Sequence, residues 1–154
     1  MITLAFYKGR SADFWSRATD AVIRAATRGR YSHVEFIPGP VELGSEYVCL
    51  SSSGRDGGVR EKMIHLSPEH WDLVELAIPS ADPEAYIRER IGAPYDYPGL
   101  ILSHFFAFGG HDKARWFCSE LCAAALGLPD PHRVSPQMLF DIVTWPLRAA
   151  PVSS

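Results

Sequence analysis

The sequence lacks the features that would assign it to most specialised classes. It has three cysteines, an odd count without the spacing of a disulfide framework or of a complete zinc ligand set. A reducing compartment, or at least independence from disulfides, is the expectation. There is no block of like charge. Lys+Arg number 15 against 18 Asp+Glu, a net charge of -3, so composition gives no reason to expect nucleic acid or an anionic membrane as partner. The longest apolar stretch, "YPGLILSHFFAFGG", is too short and too broken to span a bilayer. The start, "MITLAFYKGRS", carries neither a basic region nor a small-residue cleavage site and does not read as a signal peptide. No internal repeat or low-complexity segment occurs.

What is present is ordinary globular composition, 47% hydrophobic and 21% charged over 154 residues. That length suits one domain, 1–154, with a loose tail at 149–154. "ITLAFYKG" predicts a strand, and Ser11 caps a helix over "ADFWSRATDAVIRAATRG". "YSHVEFI" and "EYVCLSSS" predict two strands joined by a long connection, followed by strands over "VREKMIHL" and "WDLVELAI". A short helix over "DPEAYIRERIG" has Asp82 at its cap, Pro83 at its first position and Gly92 at its end. The aromatic stretch from Ala93 to Trp116 is partly helical. "FCSELCAAALGL" is a helix stopped by Gly127 and Pro129, and Ser135 caps a last helix over "SPQMLFDIV". Consecutive strands without crossover helices predict an α+β fold: a mostly antiparallel sheet of about five strands packed against helices.

Cys118 opens the alanine-rich helix. Unpaired N–H groups and the dipole at a helix N-terminus favour a thiolate. Free cysteines in apolar helices are also ordinary core residues, and this stretch alone admits both readings. Cys122, one turn on, is deeper. A nucleophilic thiol needs a base, and the base needs an orienting partner. His65, His70, His104, His111 and His132 read as solvated or satisfied core histidines. In "YSHVEFI", alternation puts Tyr31, His33 and Glu35 on one face and Val34 and Phe36 on the other. Such a face is either a site wall or a solvent face.

Four stretches, "YSHVEF", "CLSSSGRDGGV", "IGAPYDYPGL" and "WFCSELC", taken in that order, resemble the papain-like amidases of the NlpC type in circularly permuted order. Gly92-Ala93-Pro94-Tyr95 matches the family's G-x-P-Y segment, and Cys118-Ser119-Glu120-Leu121 its cysteine helix. His33-Val34 matches its histidine strand, Ser51-Ser52-Ser53 its serine-rich second strand and Val59 the G-V segment beyond, but here all three precede the cysteine. "C-S-E" is typical of the YiiX-like members of the permuted branch, which also holds the lecithin:retinol acyltransferase relatives. The resemblance covers residues 1–127.

The resemblance implies a permuted papain-like fold and a thiol hydrolase with Cys118 as nucleophile and His33 as base, without cofactor or metal. The implied substrate is a small peptide or another envelope-derived amide, such as a peptidoglycan stem peptide. Lipid esters, through acyltransferase or esterase chemistry, are the second choice. A bacterial or phage setting is implied, cytoplasmic or exported without a recognisable signal peptide. Tyr95 matches a tyrosine that helps bind the oxyanion, and it could equally be a packing aromatic. One slot departs from the pattern: the polar residue that orients the histidine aligns with Cys49, and a thiol is a poor orienter. Glu35 and Ser51 are the residues that could replace it, with the carboxylate preferred on chemistry. A solvated Glu35 would leave the slot empty and favour a different class, a binding or structural module with a dead site.

Overall fold

The computed structural model describes residues 1–9, 29–77, 82–95 and 117–149. All but the last residue of the helix expected over 12–29, most of the aromatic stretch (96–116) and all but the first residue of the loose tail (150–154) lie outside the described residues. Among the described residues there are five strands: β1 Ile2–Tyr7, β2 His33–Pro38, β3 Glu46–Ser53, β4 Gly58–His65 and β5 Trp71–Leu76. They form one antiparallel sheet in the order β4-β3-β2-β1-β5. Three helices follow among the described residues, α1 Pro83–Arg88, α2 Cys118–Ala125 and α3 Pro136–Ala149, with a 3-10 turn at Pro131–Arg133. The molecule is therefore α+β.

Alternation builds the core. Leu4 and Phe6 of β1, Val34 and Phe36 of β2 and Leu50 of β3 share one face and pack with Leu121, Cys122, Ala123 and Ala125 of α2 and Leu139 of α3. The opposite face carries Ala5, Ile37, Cys49 and Trp71, covered by Val41 and Leu66 from the connections. β1 and β2 are central and buried on both faces. β4 is an edge strand and carries Arg60, Glu61 and Lys62, charges of the kind that discourage pairing with another chain.

Local chemistry sets the helix ends. The Asp82 carboxylate accepts from the Ala85 N–H at 3.0 Å, Pro83 begins α1, and the chain leaves through Gly92 at φ +93°. Ser135 Oγ accepts from the Met138 N–H at 3.2 Å at the start of α3. This last helix runs on to Ala149, past Val143 where the sequence pattern stops and across Pro146.

The register brings β2's first residue, the ends of β1 and β3 and the starts of β4 and β5 to one end of the sheet. There the 92–95 segment lies along the start of β4. Val59 N–H donates to Ala93 O at 2.8 Å and Gly92 N–H to Val59 O at 2.9 Å, and Gly58 bridges Pro94. The approach is so close that a Cβ on Gly58 would stand 2.0 Å from Ala93 O. Gly58→Ala is therefore expected to destabilise the fold by about 2 kcal/mol or more, measured by urea unfolding. Wild-type stability in that variant would mean the 92–95 segment is not held against β4.

Candidate active site

Cys118 is the first residue of α2. Phe117 before it is extended (φ −110°, ψ 165°) and makes no side-chain cap, so no N-cap side chain competes for the first amide N–H groups. Ser119 Oγ donates to Val134 O at 2.6 Å and ties this first turn to the 3-10 turn. Small side chains further along α2 let it lie over β2 and β3. The thiol comes to rest at the end of the sheet where β2 begins, 3% exposed.

His33 opens β2 and is partly exposed, at 22% of its side chain. Its Nε2 lies 2.8 Å from Glu35 Oε1. A carboxylate offers only acceptors, so Nε2 carries the proton and donates. The ring also makes a side-chain hydrogen bond with Cys118, and Nδ1 is the nitrogen left for the sulfur. Burial acts to lower the His33 pKa. The Cys118 and Glu35 groups on its two sides outweigh burial and push it up to about 10.

Glu35 is fully buried. Burial alone would favour its neutral form, but hydrogen bonds and charge from Arg60 and His33 hold its carboxyl below the usual range. Arg60 on β4 reaches it with two bonds, Nη1 to Oε2 at 2.7 Å and Nη2 to Oε1 at 2.5 Å. That is the bidentate fork a guanidinium makes with a carboxylate. Arg60 Nε in turn donates to Asp56 Oδ2 at 2.9 Å, and Lys62 Nζ donates to Asp56 Oδ1 at 2.9 Å. A row of charges of alternating sign thus runs from the β3–β4 turn to His33.

The residues singled out in the sequence fall into distinct places. Cys118, His33 and Glu35 are brought together. The far ring nitrogen of His33 is held by Glu35 and not by Ser51, whose hydroxyl donates to Val34 O at 2.7 Å. Zero exposure of Glu35 excludes the solvated-carboxylate reading. Cys49 packs in the opposite-face core, its thiol pushed up to about 12 by burial first and by Glu35, against Arg60. Cys122 is fully buried and its thiol is likewise pushed up, chiefly by burial. Tyr95 is buried against Phe117, the residue before Cys118. Tyr31 does not share the His33–Glu35 face. The strand begins only at His33, and Tyr31 packs in the α2-side core against Phe6 and Phe140 while donating to Asp72 Oδ2 at 2.7 Å.

Among the other histidines, His65 ends β4 at the far end of the sheet and His70 Nδ1 meets Ser67 Oγ at 3.1 Å. His104 and His111 lie outside the described residues. Among the described residues no group of three His, Cys, Asp or Glu side chains is arranged to hold a metal ion, and no helix is long and apolar enough to cross a membrane. Sequence reasoning passes over Arg60 and assigns Asp56 no place in the site. The available signal is strand alternation, which puts Arg60 level with Ser51 on the face of Glu35.

These shifts fix a pH window. The His33 pKa lies above its ordinary 6.5, so its contribution to stability is complete below that value and is lost as pH rises through about 10. Glu35 lies below its ordinary 4.5, so its contribution is complete above that value and is lost as pH falls below it. Urea stability should be flat between about pH 5 and pH 6.5 and decline on both sides. Glu35→Gln should cost about 3 kcal/mol or more at neutral pH, because it leaves buried cationic partners without their counter-charge. A variant as stable as wild type there would contradict the ionic arrangement.

Compared with protein-family models, with curated proteins and with solved structures, the chain finds no match.

Proposed function

We propose that this chain is a thiol-dependent hydrolase of the circularly permuted papain-like class, acting on an amide bond of a small peptide derived from a cell envelope. The observation that carries the reading is the alignment of Cys118, His33 and Glu35, a thiol at a helix start hydrogen-bonded to an imidazole whose far nitrogen donates to a buried carboxylate. That is the arrangement nucleophilic catalysis by a thiol requires: nucleophile, base and orienter in hydrogen-bond sequence. Among the described residues no imidazole acts on Cys49 or Cys122, and burial pushes both thiols up.

In this mechanism His33 takes the Cys118 proton and the sulfur attacks the carbonyl carbon. The electron pair of the C=O bond moves onto oxygen. The Cys118 backbone N–H, with the Tyr95 hydroxyl, stabilises that oxyanion. Collapse of the tetrahedral intermediate breaks the C–N bond, and the amine leaves with the proton from His33. A thioester remains. Water, deprotonated by His33, attacks the thioester, releases the carboxylate and restores the thiol. Glu35 holds the ring in register and stabilises the imidazolium without itself taking the proton.

The dead-site module drew its support from Cys49 standing in the orienting slot. Glu35 supplies the carboxylate that Cys49 lacks, which removes that support. The choice of peptide amide over lipid ester rests on the resemblance of the G-A-P-Y and C-S-E-L stretches to amidases of the NlpC type.

Iodoacetamide near neutral pH should label Cys118 selectively, with Cys49 and Cys122 spared, and His33→Ala should slow that labelling about tenfold or more. Cys118→Ser should lower hydrolysis of stem-peptide amides by roughly a thousandfold or more while leaving the circular dichroism spectrum unchanged. Full activity in that variant would remove Cys118 as nucleophile, and turnover of lipid esters in place of peptides would move the substrate class. Cys122→Ser should instead cost about 1–3 kcal/mol of stability, because it buries a hydroxyl in an apolar core.

A further inference from the structure

The two-bond contact between Arg60 and Glu35 reaches across a whole strand. β4 and β2 are separated by β3, yet the guanidinium on β4 meets the carboxylate on β2. Ser51 of β3 pairs with Arg60, and continuing the Phe36–Leu50 register puts Ser51 opposite Glu35. The residue in the middle of this row therefore has one of the smallest side chains available, with its hydroxyl committed to the Val34 carbonyl. A Leu or Val there would occupy the path of the guanidinium. Asp56, at the β3–β4 turn, accepts from Nε and aims the fork inward.

From this geometry we infer that Arg60 is a positioning residue for the thiol chemistry proposed above: it fixes the charge and orientation of Glu35 and, through Glu35, the proton on His33. The inference rests on that reading of Cys118 and His33. Among the described residues, the groups facing the Glu35 carboxylate are few. His33 of β2 and Arg60 of β4 bond to it. The charge of Glu35 also bears on the Cys49 thiol of β3 and the Cys122 thiol of α2, both of which stay protonated at neutral pH. Arg60 is thus the permanent cation among them. Without it the carboxyl has no access to water and one partner that itself titrates, and burial favours its neutral form. A neutral Glu35 no longer stabilises an imidazolium, so His33 would release its proton at lower pH and the Cys118 thiolate would lose its counter-ion.

The test is the pH profile of Cys118 alkylation by iodoacetamide, read residue by residue by mass spectrometry, in wild type, Arg60→Met and Arg60→Lys. Arg60→Met should move the acid limb upward by about one pH unit or more and slow labelling at pH 6 about tenfold. Arg60→Lys keeps the cation but loses the fork, and it should fall between the two. If Arg60→Met fails to fold, the lysine variant decides: a wild-type profile in it overturns the role of the fork. An unchanged profile in a folded Arg60→Met, even with lowered thermal stability, makes Arg60 a merely structural residue and overturns the inference. Slow, His33-independent labelling in the wild type would instead overturn the thiol-hydrolase reading itself, so the two failures are distinguishable.

Discussion

A carboxylate cut off from water lies within the sheet, held between a guanidinium and an imidazole. Glu35 is fully buried, and taking a charge that far from solvent costs several kcal/mol unless partners replace the lost hydration. Arg60 supplies two hydrogen bonds and a full charge, and His33 a third bond. Such a group tolerates few rearrangements. Moving β4 away from β2 would strand the carboxylate, and turning the His33 ring would leave an oxygen short of a donor. The constraint links the edge strand, the central strand and the start of α2 through one ionic row.

The sheet topology sets where this row ends. All five antiparallel strands deliver an end to the same margin of the sheet, and the 92–95 segment is pinned to the start of β4 there by the close approach at Gly58. α2 lies over β2 and β3 and brings its N-terminus to that margin. The side of His33 that does not face Glu35 therefore meets Cys118. Rigid elements set both contacts, which holds the thiol and the imidazole in constant register, as the proposed chemistry requires.

Much of the scaffold is legible in the sequence because it is encoded locally. Period-two alternation marks β2 and β4, and β3 begins and ends at the expected residues. Asp82, Ser135 and the glycines after α1 and α2 act through neighbours a few residues away, so their signals survive in a linear reading. The illegible features are non-local or depend on where alternation begins. Placing Tyr31 on the His33 face extends the pattern two residues too far; the bend before His33 sends it to the other core. The choice between Glu35 and Ser51 depends on which polar group finds a closer partner, and Ser51 is satisfied by a backbone carbonyl across the strand. Arg60 gives no local signal because its partner lies two strands away, a pairing that only the sheet order reveals.

The Cys118 proton, once passed to His33, leaves an imidazolium between the sulfur and a buried carboxylate, which together hold it protonated through neutral pH, and the proposed chemistry depends on that state. Titration of the His33 ring by NMR tests it most directly. The expected midpoint is near 10, falling markedly in Cys118→Ala, with the Nε2 proton retained as the hydrogen-bonded one. A midpoint near the ordinary 6.5, unmoved when Cys118 is removed, would contradict the claim.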